Sequence, residues 1–324
     1  MREIGGYFEL ENFKGKEFYQ DKLRFNSARK CFSFLMKVKG YNKVYIPDFL
    51  CSSIIEECNK EKIVYEIYPI SKEFLVPDDF NINQNSALYV VNYYGQLKID
   101  YIKSLKEKFP NIILDNTQAF FQEIEGIDTI YNCRKYFGVA DGAYLAIMSK
   151  ENFIEQYDEL EQDYSGTRCG FILGRYEKTA SEFYKEACDN NAFFTNESIK
   201  KMSKLTSNIL KAIDYKAVQM KRYQNFATLH SRLNDSNLLR NLNIPVGAYM
   251  YPYFVENSVE LRKYLIGKKV YVPILWPEVL LDKNAGCLAR EYAEHIVPLP
   301  CDQRYETEDM EYICNLIEEF LKDE

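Results

Sequence analysis

The sequence predicts an α/β fold whose mainly parallel sheet is covered by helices on both faces. Between about residues 27 and 147, helical periods alternate with short apolar strands, which is typical of such a sheet. Beyond residue 150 the chain turns helical and charged, and it ends in a smaller α+β pattern. The 324 residues are enough for two cores, so we predict a large unit over 1–215 and a small unit over 216–324.

The elements of the large unit follow from hydrophobic periodicity. Residues 28–39, 52–61 and 100–108 each present one apolar face at helical spacing. Short apolar runs bounded by turn residues predict strands at 44–46, 63–70, 87–94, 111–115, 129–132 and 143–147.

The second half is predicted mainly helical. One apolar face predicts a single long helix, or two joined helices, over 199–233; its residues are Met202, Leu205, Ile209, Ile213, Ala217 and Met220. In the small unit we predict strands at 247–254 and 270–276, with a helix at 259–265 between them. Ser258 is the predicted cap of that helix, and Thr307 the predicted cap of the last one.

Composition narrows the classes of function. The net charge of −7 argues against a nucleic-acid-binding or anionic-membrane surface. Nine irregularly spaced cysteines without a Cys-x-x-Cys pair, together with two histidines, predict reduced thiols and no metal site. We find no apolar leader and no apolar run of the roughly 18 residues that a membrane-spanning helix needs. A soluble, cytoplasmic protein is expected.

A carboxylate and an amine stand out as candidate catalytic groups. Asp115 emerges at the end of a buried strand, and Lys135 follows in a turn that ends near Gly142. Ligands bind open α/β sheets outside the carboxyl ends of the strands. A Lys that bonds to an aldehyde and an Asp that pairs with a pyridinium nitrogen are the minimal protein groups for pyridoxal 5′-phosphate (PLP) chemistry. Arg134 and partial burial are expected to favour the neutral amine of Lys135.

The same cofactor needs a phosphate site and contacts to its ring. Asn26, Ser27, Ala28 and Arg29 open the first strong helix, and a helix N-terminus is a natural phosphate site. Asn132 is a further candidate phosphate contact, and Gln118 a candidate contact to the ring or its 3-oxygen. Each residue also has an ordinary interpretation: Asp115 as a turn residue or cap, Lys135 as a solvated side chain and Ser27 as a helix cap.

The order of these motifs resembles that of the DegT/DnrJ/StrS aminotransferase family. The similar segments are Asn26-Ser27-Ala28-Arg29, Val91-Asn92-Tyr93-Tyr94-Gly95-Gln96, Asp115-Asn116-Thr117-Gln118-Ala119, the run from Lys135 to Ala143, and Leu299-Pro300-Cys301-Asp302-Gln303-Arg304-Tyr305. The sequence departs from the family pattern at Ala28, where a Gly is usual, and at Asn132, where a Ser is common. The aromatic residue that stacks on the ring is left open among Phe49, Tyr93 and Tyr94, with Cys51 as a replacement; we include Tyr93 in the predicted site.

The resemblance implies a type I PLP-dependent transferase fold, with a seven-stranded, mainly parallel large domain and a small C-terminal domain. It also implies a homodimer with shared active sites. The activity implied is transfer of an amino group, usually from glutamate, to a keto sugar that is usually nucleotide-linked, for surface polysaccharides and related products. Candidate substrate contacts are Arg168, Arg175, Arg222 and Arg304.

Two alternatives remain at this stage. A sugar dehydratase of the same family uses the cofactor without net amino transfer, but in the known variant a His takes the place of Lys135. A non-catalytic regulatory or partner protein with the same fold is the other alternative, and the intact pair of Lys135 and Asp115 argues against it.

Overall fold

The computed structural model describes residues 4–83 and 85–322. Its strands are β1 (Leu23–Phe25), β2 (Lys43–Pro47), β3 (Val64–Tyr68), β4 (Ala87–Val91), β5 (Ile112–Asp115), β6 (Asp128–Asn132), β7 (Ala143–Ala146), β8 (Met250–Phe254) and β9 (Ile296–Pro300). Its helices are α1 (Ala28–Lys39), α2 (Ser52–Glu61), α3 (Ile99–Lys108), α4 (Ile154–Asp158), α5 (Gly170–Glu177), α6 (Tyr184–Asn196), α7 (Lys204–Leu210), α8 (Tyr215–Leu233), α9 (Ser258–Gly267), α10 (Glu278–Leu281), α11 (Cys287–His295) and α12 (Thr307–Lys322).

Seven strands form one sheet in the order β1-β7-β6-β5-β4-β2-β3. The five strands from β6 to β3 pair in parallel, whereas β7 runs antiparallel to both β6 and β1. Every residue of β4 and β5 is buried, as expected for a parallel sheet covered on both faces. The predicted α/β fold with a mainly parallel seven-stranded sheet is therefore confirmed.

Helix α1 shows why the local prediction succeeded. Its apolar residues Cys31, Phe32, Leu35 and Met36 are all buried in the core under the sheet. The helix ends at Gly40, whose positive φ of 70° suits a residue without a side chain. The predicted bounds of α1 and α2 agree with the structure, and those of α3 agree within one residue.

Several predictions for the second half were wrong. The segment 270–276 is irregular, and the partner of β8 is the unpredicted strand β9, which pairs with it antiparallel. Residues 199–233 contain two helices, α7 and α8, which is the second of the two predicted alternatives, but the predicted apolar face does not extend to Met220, which is 61% exposed. Ser258 is the first residue of α9 rather than its cap, and its hydroxyl donates to the carbonyl of Glu294 at 2.7 Å.

The last helix also begins differently from the prediction. Thr307 is the first helical residue of α12, and the backbone N–H of Glu306 donates to the carboxylate of Asp309 at 2.8 Å. Asp309 thus satisfies the backbone donor of the residue before the helix, whereas a capping Thr307 would have accepted from an N–H within the first turn.

The small sheet of β8 and β9 lies against helices α8, α9 and α12, with a core of its own. Other residues from this half of the chain join the core of the large sheet: Trp276 packs edge-on against Phe49, with ring centroids 4.5 Å apart. The domain boundary after residue 215 stays a prediction. Among the described helices, we find none long and apolar enough to span a membrane.

Candidate active site

Asp115 and Lys135 lie at one edge of the large sheet. Asp115 is the last residue of β5, and Lys135 ends the 3₁₀ turn Cys133–Lys135 that directly follows β6. Because β5 and β6 are parallel neighbours, both residues emerge at the carboxyl ends of adjacent strands. This is the position at which open α/β sheets bind ligands.

The start of α1 is joined to the same edge through β7. Ala143 pairs with Phe25 on one side and with Asn132 on the other. Beyond these pairs, the N–H of Gly142 donates to the carbonyl of Asn26 at 2.7 Å, and the N–H of Cys133 donates to the carbonyl of Gly142 at 3.1 Å. The predicted phosphate segment therefore lies beside the turn that carries Lys135.

Gly142 is required at this junction for two reasons. Its φ of 117° is unfavourable for residues with a side chain. In addition, a Cβ atom there would lie 2.9 Å from Cγ2 of Thr206. The glycine therefore lets α7 approach the strand that joins the phosphate segment to the Lys135 turn.

The Asp115 carboxylate is held on both oxygens. The hydroxyl of Tyr89 donates to one at 2.7 Å, and the N–H of Thr117 donates to the other at 2.8 Å. Burial raises the pKa of Asp115, while the bonds from Thr117 and Tyr89 and the charge of Lys135 act in the opposite direction. A cation facing this buried carboxylate would stabilise its ionised form.

Lys135 is exposed in the single chain, so the expected partial burial of its side chain is not found. Its Nζ lies 5.9 Å from the ring centre of Tyr249. Burial raises the pKa of Asp115, and the charge of Lys135 acts against that increase, as it also does for Cys51. Burial is nevertheless the larger effect on Cys51 and raises its pKa.

Two polar side chains before α1 are buried without a hydrogen bond to any described residue. They are Asn26, at both of its amide atoms, and Ser27, at its hydroxyl. Ser27 precedes α1 in an extended conformation without a capping bond from its side chain, and the half-buried Ala28 begins the helix. Buried polar groups are normally satisfied, so these orphaned atoms at a helix N-terminus fit a bound phosphate.

The other predicted cofactor contacts have partners within the chain. Arg29 donates to Glu56 at 3.2 Å and to Thr195 at 3.1 Å. The side chain of Asn132 accepts a bond from the N–H of Arg134 at 3.0 Å. That of Gln118 accepts one from the N–H of Tyr94 at 2.7 Å. Their contacts to a cofactor remain predictions.

Three aromatic side chains are candidates to stack on the ring. Tyr93 and Phe49 are both buried and stack on each other at 5.2 Å, and the hydroxyl of Tyr93 donates to the carbonyl of Phe49. Tyr94 is buried with an unpaired hydroxyl. Cys51, which precedes α2, lies near Asp115 and Lys135 according to their mutual electrostatic effects.

A cavity of about 410 Å³ opens beside Lys135. Its lining residues include the cations Arg134, Lys135, Arg175, Arg222 and Arg304, but Asp115 is not among them. Of the described residues that line it, Asp302 is the one acid. The cavity therefore favours anionic ligands.

The four candidate substrate arginines differ in what already binds them. Arg304 is bidentate to Asp302, at 2.7 and 2.8 Å, and Arg168 pairs with Asp163 at 2.8 Å. Arg222 is fully buried. Arg175 is exposed at the cavity, and no hydrogen bond or ion pair to it is found within the described ranges 4–83 and 85–322.

Arg222 connects the Lys135 turn to the C-terminal part of the chain. Its guanidinium donates to the carbonyls of Ala248 at 2.8 Å and of Tyr136 at 3.3 Å, and to the side chain of Gln303 at 2.6 Å. Gln303 in turn donates to the carbonyl of Tyr136 at 2.7 Å. Arg222 was one of four candidate substrate contacts; the structure shows it bound to backbone carbonyls from several elements, a role that no local sequence pattern indicates.

Replacing Arg222 by leucine should therefore destabilise the protein. The change removes the arginine donor from the carbonyl of Ala248 and one of two donors from that of Tyr136, and it empties a buried site, so we expect a loss of roughly 3 kcal/mol in the free energy of unfolding. Denaturant unfolding measures it. Arg232→Leu on the same helix is the matched control, because it breaks only exposed contacts, to Glu318 and Asn315, and should cost less than about 1 kcal/mol. Equal effects of the two changes would contradict this role of Arg222.

The fold is that of the type I PLP-dependent aminotransferases. The solved structures that it resembles include the PMP form of Spr1654 from Streptococcus pneumoniae, assigned as a sugar aminotransferase (TM-score 0.64, 13% identity, 91% of this chain and 86% of that chain). They also include the Helicobacter pylori aminotransferase PseC of pseudoaminic acid biosynthesis (0.66, 12%, 93% and 86%) and a DegT/DnrJ/EryC1/StrS aminotransferase from Brucella abortus (0.61, 13%, 92% and 85%). No protein-family model and no curated protein sequence matches the chain. At these identities the likeness is one of fold.

Proposed function

We propose that the protein is a PLP-dependent aminotransferase that transfers an amino group, from glutamate, to a keto sugar. The observation that carries the proposal is the meeting of three groups at one sheet edge: the amine of Lys135, the buried carboxylate of Asp115 and the unpaired polar atoms of Asn26 and Ser27. Sugar aminotransferases among the structures of like fold support it.

Each group has a distinct role in this proposal. When bound, the cofactor supplies an electron sink that stabilises negative charge at the substrate carbon. Lys135 holds the cofactor and moves a proton to and from that carbon. Asp115 keeps the ring nitrogen protonated, and the start of α1 holds the phosphate. Gln118, Asn132, Arg29 and Tyr93 are proposed as supporting contacts.

The acceptor is proposed to be a nucleotide-linked keto sugar for surface polysaccharide or a related product. The cationic cavity beside Lys135 supports an anionic substrate. A second cavity of about 740 Å³ shares Phe171, Arg175, Asp302 and Arg304 with it and offers room for a larger molecule. Arg175 is the proposed substrate contact, because it is exposed and lines both of these cavities.

We further propose a homodimer in which the partner subunit covers the active site. Lys135 is exposed in the single chain, whereas this chemistry works best in a site that excludes water. Large apolar side chains are also exposed, among them Tyr7, Phe8, Leu173 and Tyr176. Such exposure is typical of surfaces that other chains cover.

The test is a half-reaction with purified protein. After loading with PLP, the wild type should show the absorbance band of the bound cofactor, and glutamate should convert the cofactor to its amine form. A panel of nucleotide-linked keto sugars should then restore the original band and yield an amino sugar, detected by mass spectrometry. If PLP never binds, the proposed function is wrong. Binding without conversion by any amino donor would instead favour a non-catalytic protein.

A further inference from the structure

Three arginines contact helix α6. Arg29 donates to Thr195, Arg134 donates to Asn191, and Arg168 packs over the ring of Phe193 at 4.0 Å. Asn191 and Thr195 are four residues apart, so they lie one turn from each other on the same face. Helix α6 thus brings the Lys135 turn and the start of α1 together through their arginines.

Two of these arginines pack against the same aromatic ring. The guanidinium of Arg134 lies 4.6 Å from the ring centre of Phe194, and that of Arg168 lies 5.2 Å from the same ring. Phe194 is fully buried, so its ring is a firm support for both. The arrangement is therefore a built cluster rather than three independent surface cations.

The arginines of the cluster differ in their acidic partners among the described residues. Arg29 pairs with Glu56 at 3.2 Å, and Arg168 pairs with Asp163 at 2.8 Å. For Arg134, no carboxylate within ion-pair distance is found in the part of the chain that the structure describes; Asn191 accepts from its guanidinium. The positive charge of Arg134 is therefore available to a bound anion.

The surroundings of Arg134 disfavour the charged form of its guanidinium. Burial is the main cause that lowers its pKa, to about 10, and the neighbouring charges of Arg29 and Arg168 lower it further, whereas Asp141 raises it. The carboxylate of Asp141 already accepts hydrogen bonds from Ser203 and Thr206. A bound anion would relieve the repulsion among the three cations.

We propose that Arg134 is the cationic contact of the cofactor phosphate, completing the site that the unpaired side chains of Asn26 and Ser27 begin at the start of α1. Arg134 directly precedes Lys135, and its backbone N–H is held by Asn132, a predicted phosphate contact. Arg29, the arginine that the sequence pointed to, is already paired with Glu56. A phosphate monoester dianion is the ligand that such a cation and a helix N-terminus recognise together.

This inference rests on the proposed function, and its test separates the two. Dissociation constants for PLP and for pyridoxal, which lacks the phosphate, are measured by absorbance titration of the apoprotein for wild type, Arg134→Gln, Arg134→Lys and Arg175→Gln. Arg134→Gln should weaken PLP binding roughly tenfold or more and leave pyridoxal binding unchanged. Arg134→Lys should lie between it and wild type, because lysine keeps the charge but not the fork of donors.

Two further readouts distinguish a phosphate contact from a general effect. Inorganic phosphate should compete with PLP for the wild type and much less for Arg134→Gln. Arg175→Gln removes the same charge from another position in the cavity that both arginines line, and it should leave the ratio of PLP to pyridoxal affinity at its wild-type value. Thermal unfolding of each variant checks that it is folded.

Three results would overturn the inference while leaving the proposed function in place. They are an equal loss of PLP and pyridoxal binding in Arg134→Gln, no loss of either, and a loss of PLP binding in Arg175→Gln as large as in Arg134→Gln. A wild-type protein that binds no PLP would overturn both proposals.

Discussion

Replacing Lys135 by alanine is expected to abolish amino transfer and covalent capture of the cofactor. The side chain is proposed both to hold the cofactor and to move the proton at the substrate carbon, so the rate should fall at least about a thousandfold. Product formation with glutamate as donor measures the rate. Borohydride reduction followed by peptide mass spectrometry should find the cofactor mass on the wild-type peptide that contains Lys135 and not in the variant.

The matched control is Lys216→Ala. Lys216 is an exposed lysine in the first turn of α8, so its loss should change neither the rate nor the modified peptide. Trapping of the cofactor on a different lysine of the wild type would show that Lys135 has been assigned wrongly. The same result would remove the reason for placing the site at the end of β6.

Replacing Asp115 by asparagine should separate activity from stability. An amide cannot supply the negative charge that keeps the ring nitrogen protonated, so we expect the rate to fall at least about a hundredfold. The bonds from Tyr89 and Thr117 can persist, because the amide oxygen still accepts and the tyrosine hydroxyl can accept as well as donate. Steady-state rates and the cofactor spectrum measure the effect.

The stability of the same variant should change in the opposite direction. Burial raises the pKa of Asp115 in the folded apoprotein. A folded pKa above the unfolded one means that ionisation of this group costs stability as the pH rises past the unfolded value. Apo Asp115→Asn should therefore be more stable than wild type near neutral pH, and the difference should vanish below about pH 4.

Asp128 provides the matched control for both measurements. It is likewise a buried carboxylate whose pKa is raised by burial, but it begins β6 and so lies at the opposite edge of the sheet. Asp128→Asn should leave the rate of amino transfer unchanged. A comparable loss of rate in both variants would mean that Asp115 acts through the fold and not on the ring nitrogen.

Much of the candidate site followed from local sequence patterns. Apolar runs that end in polar residues predicted the strands before Asp115 and Lys135, and parallel pairing then placed both residues at one edge. The start of α1 was predicted from its periodicity and from Ser27 before it. These inferences needed only the periodicity of apolar side chains and the rule that the carboxyl ends of parallel strands lie at the same edge of a sheet.

Other parts of the site have no local signal. The three-residue strand β1 is too short to be predicted from periodicity, yet its pairing with β7 brings Asn26 to the Lys135 turn. Arg168 and Arg222 were two of four candidate substrate contacts, and the structure pairs the first with Asp163 and the second with backbone carbonyls. Such partners come from segments far apart along the chain, and the choice among them depends on packing.

The order of residues alone determined the helix and strand periods, the parallel sheet and the positions of Asp115 and Lys135 along it, because these depend on interactions between near neighbours in the chain. Only the tertiary structure decided how each cation near the site is partnered. Arg29, Arg134 and Arg168 look alike in the sequence, but the packing of α6 against the Lys135 turn gives Arg134 the amide of Asn191, whereas the other two arginines pair with carboxylates. The physical reason is that a charge is balanced by whatever lies within a few ångströms of it, and the fold sets those distances.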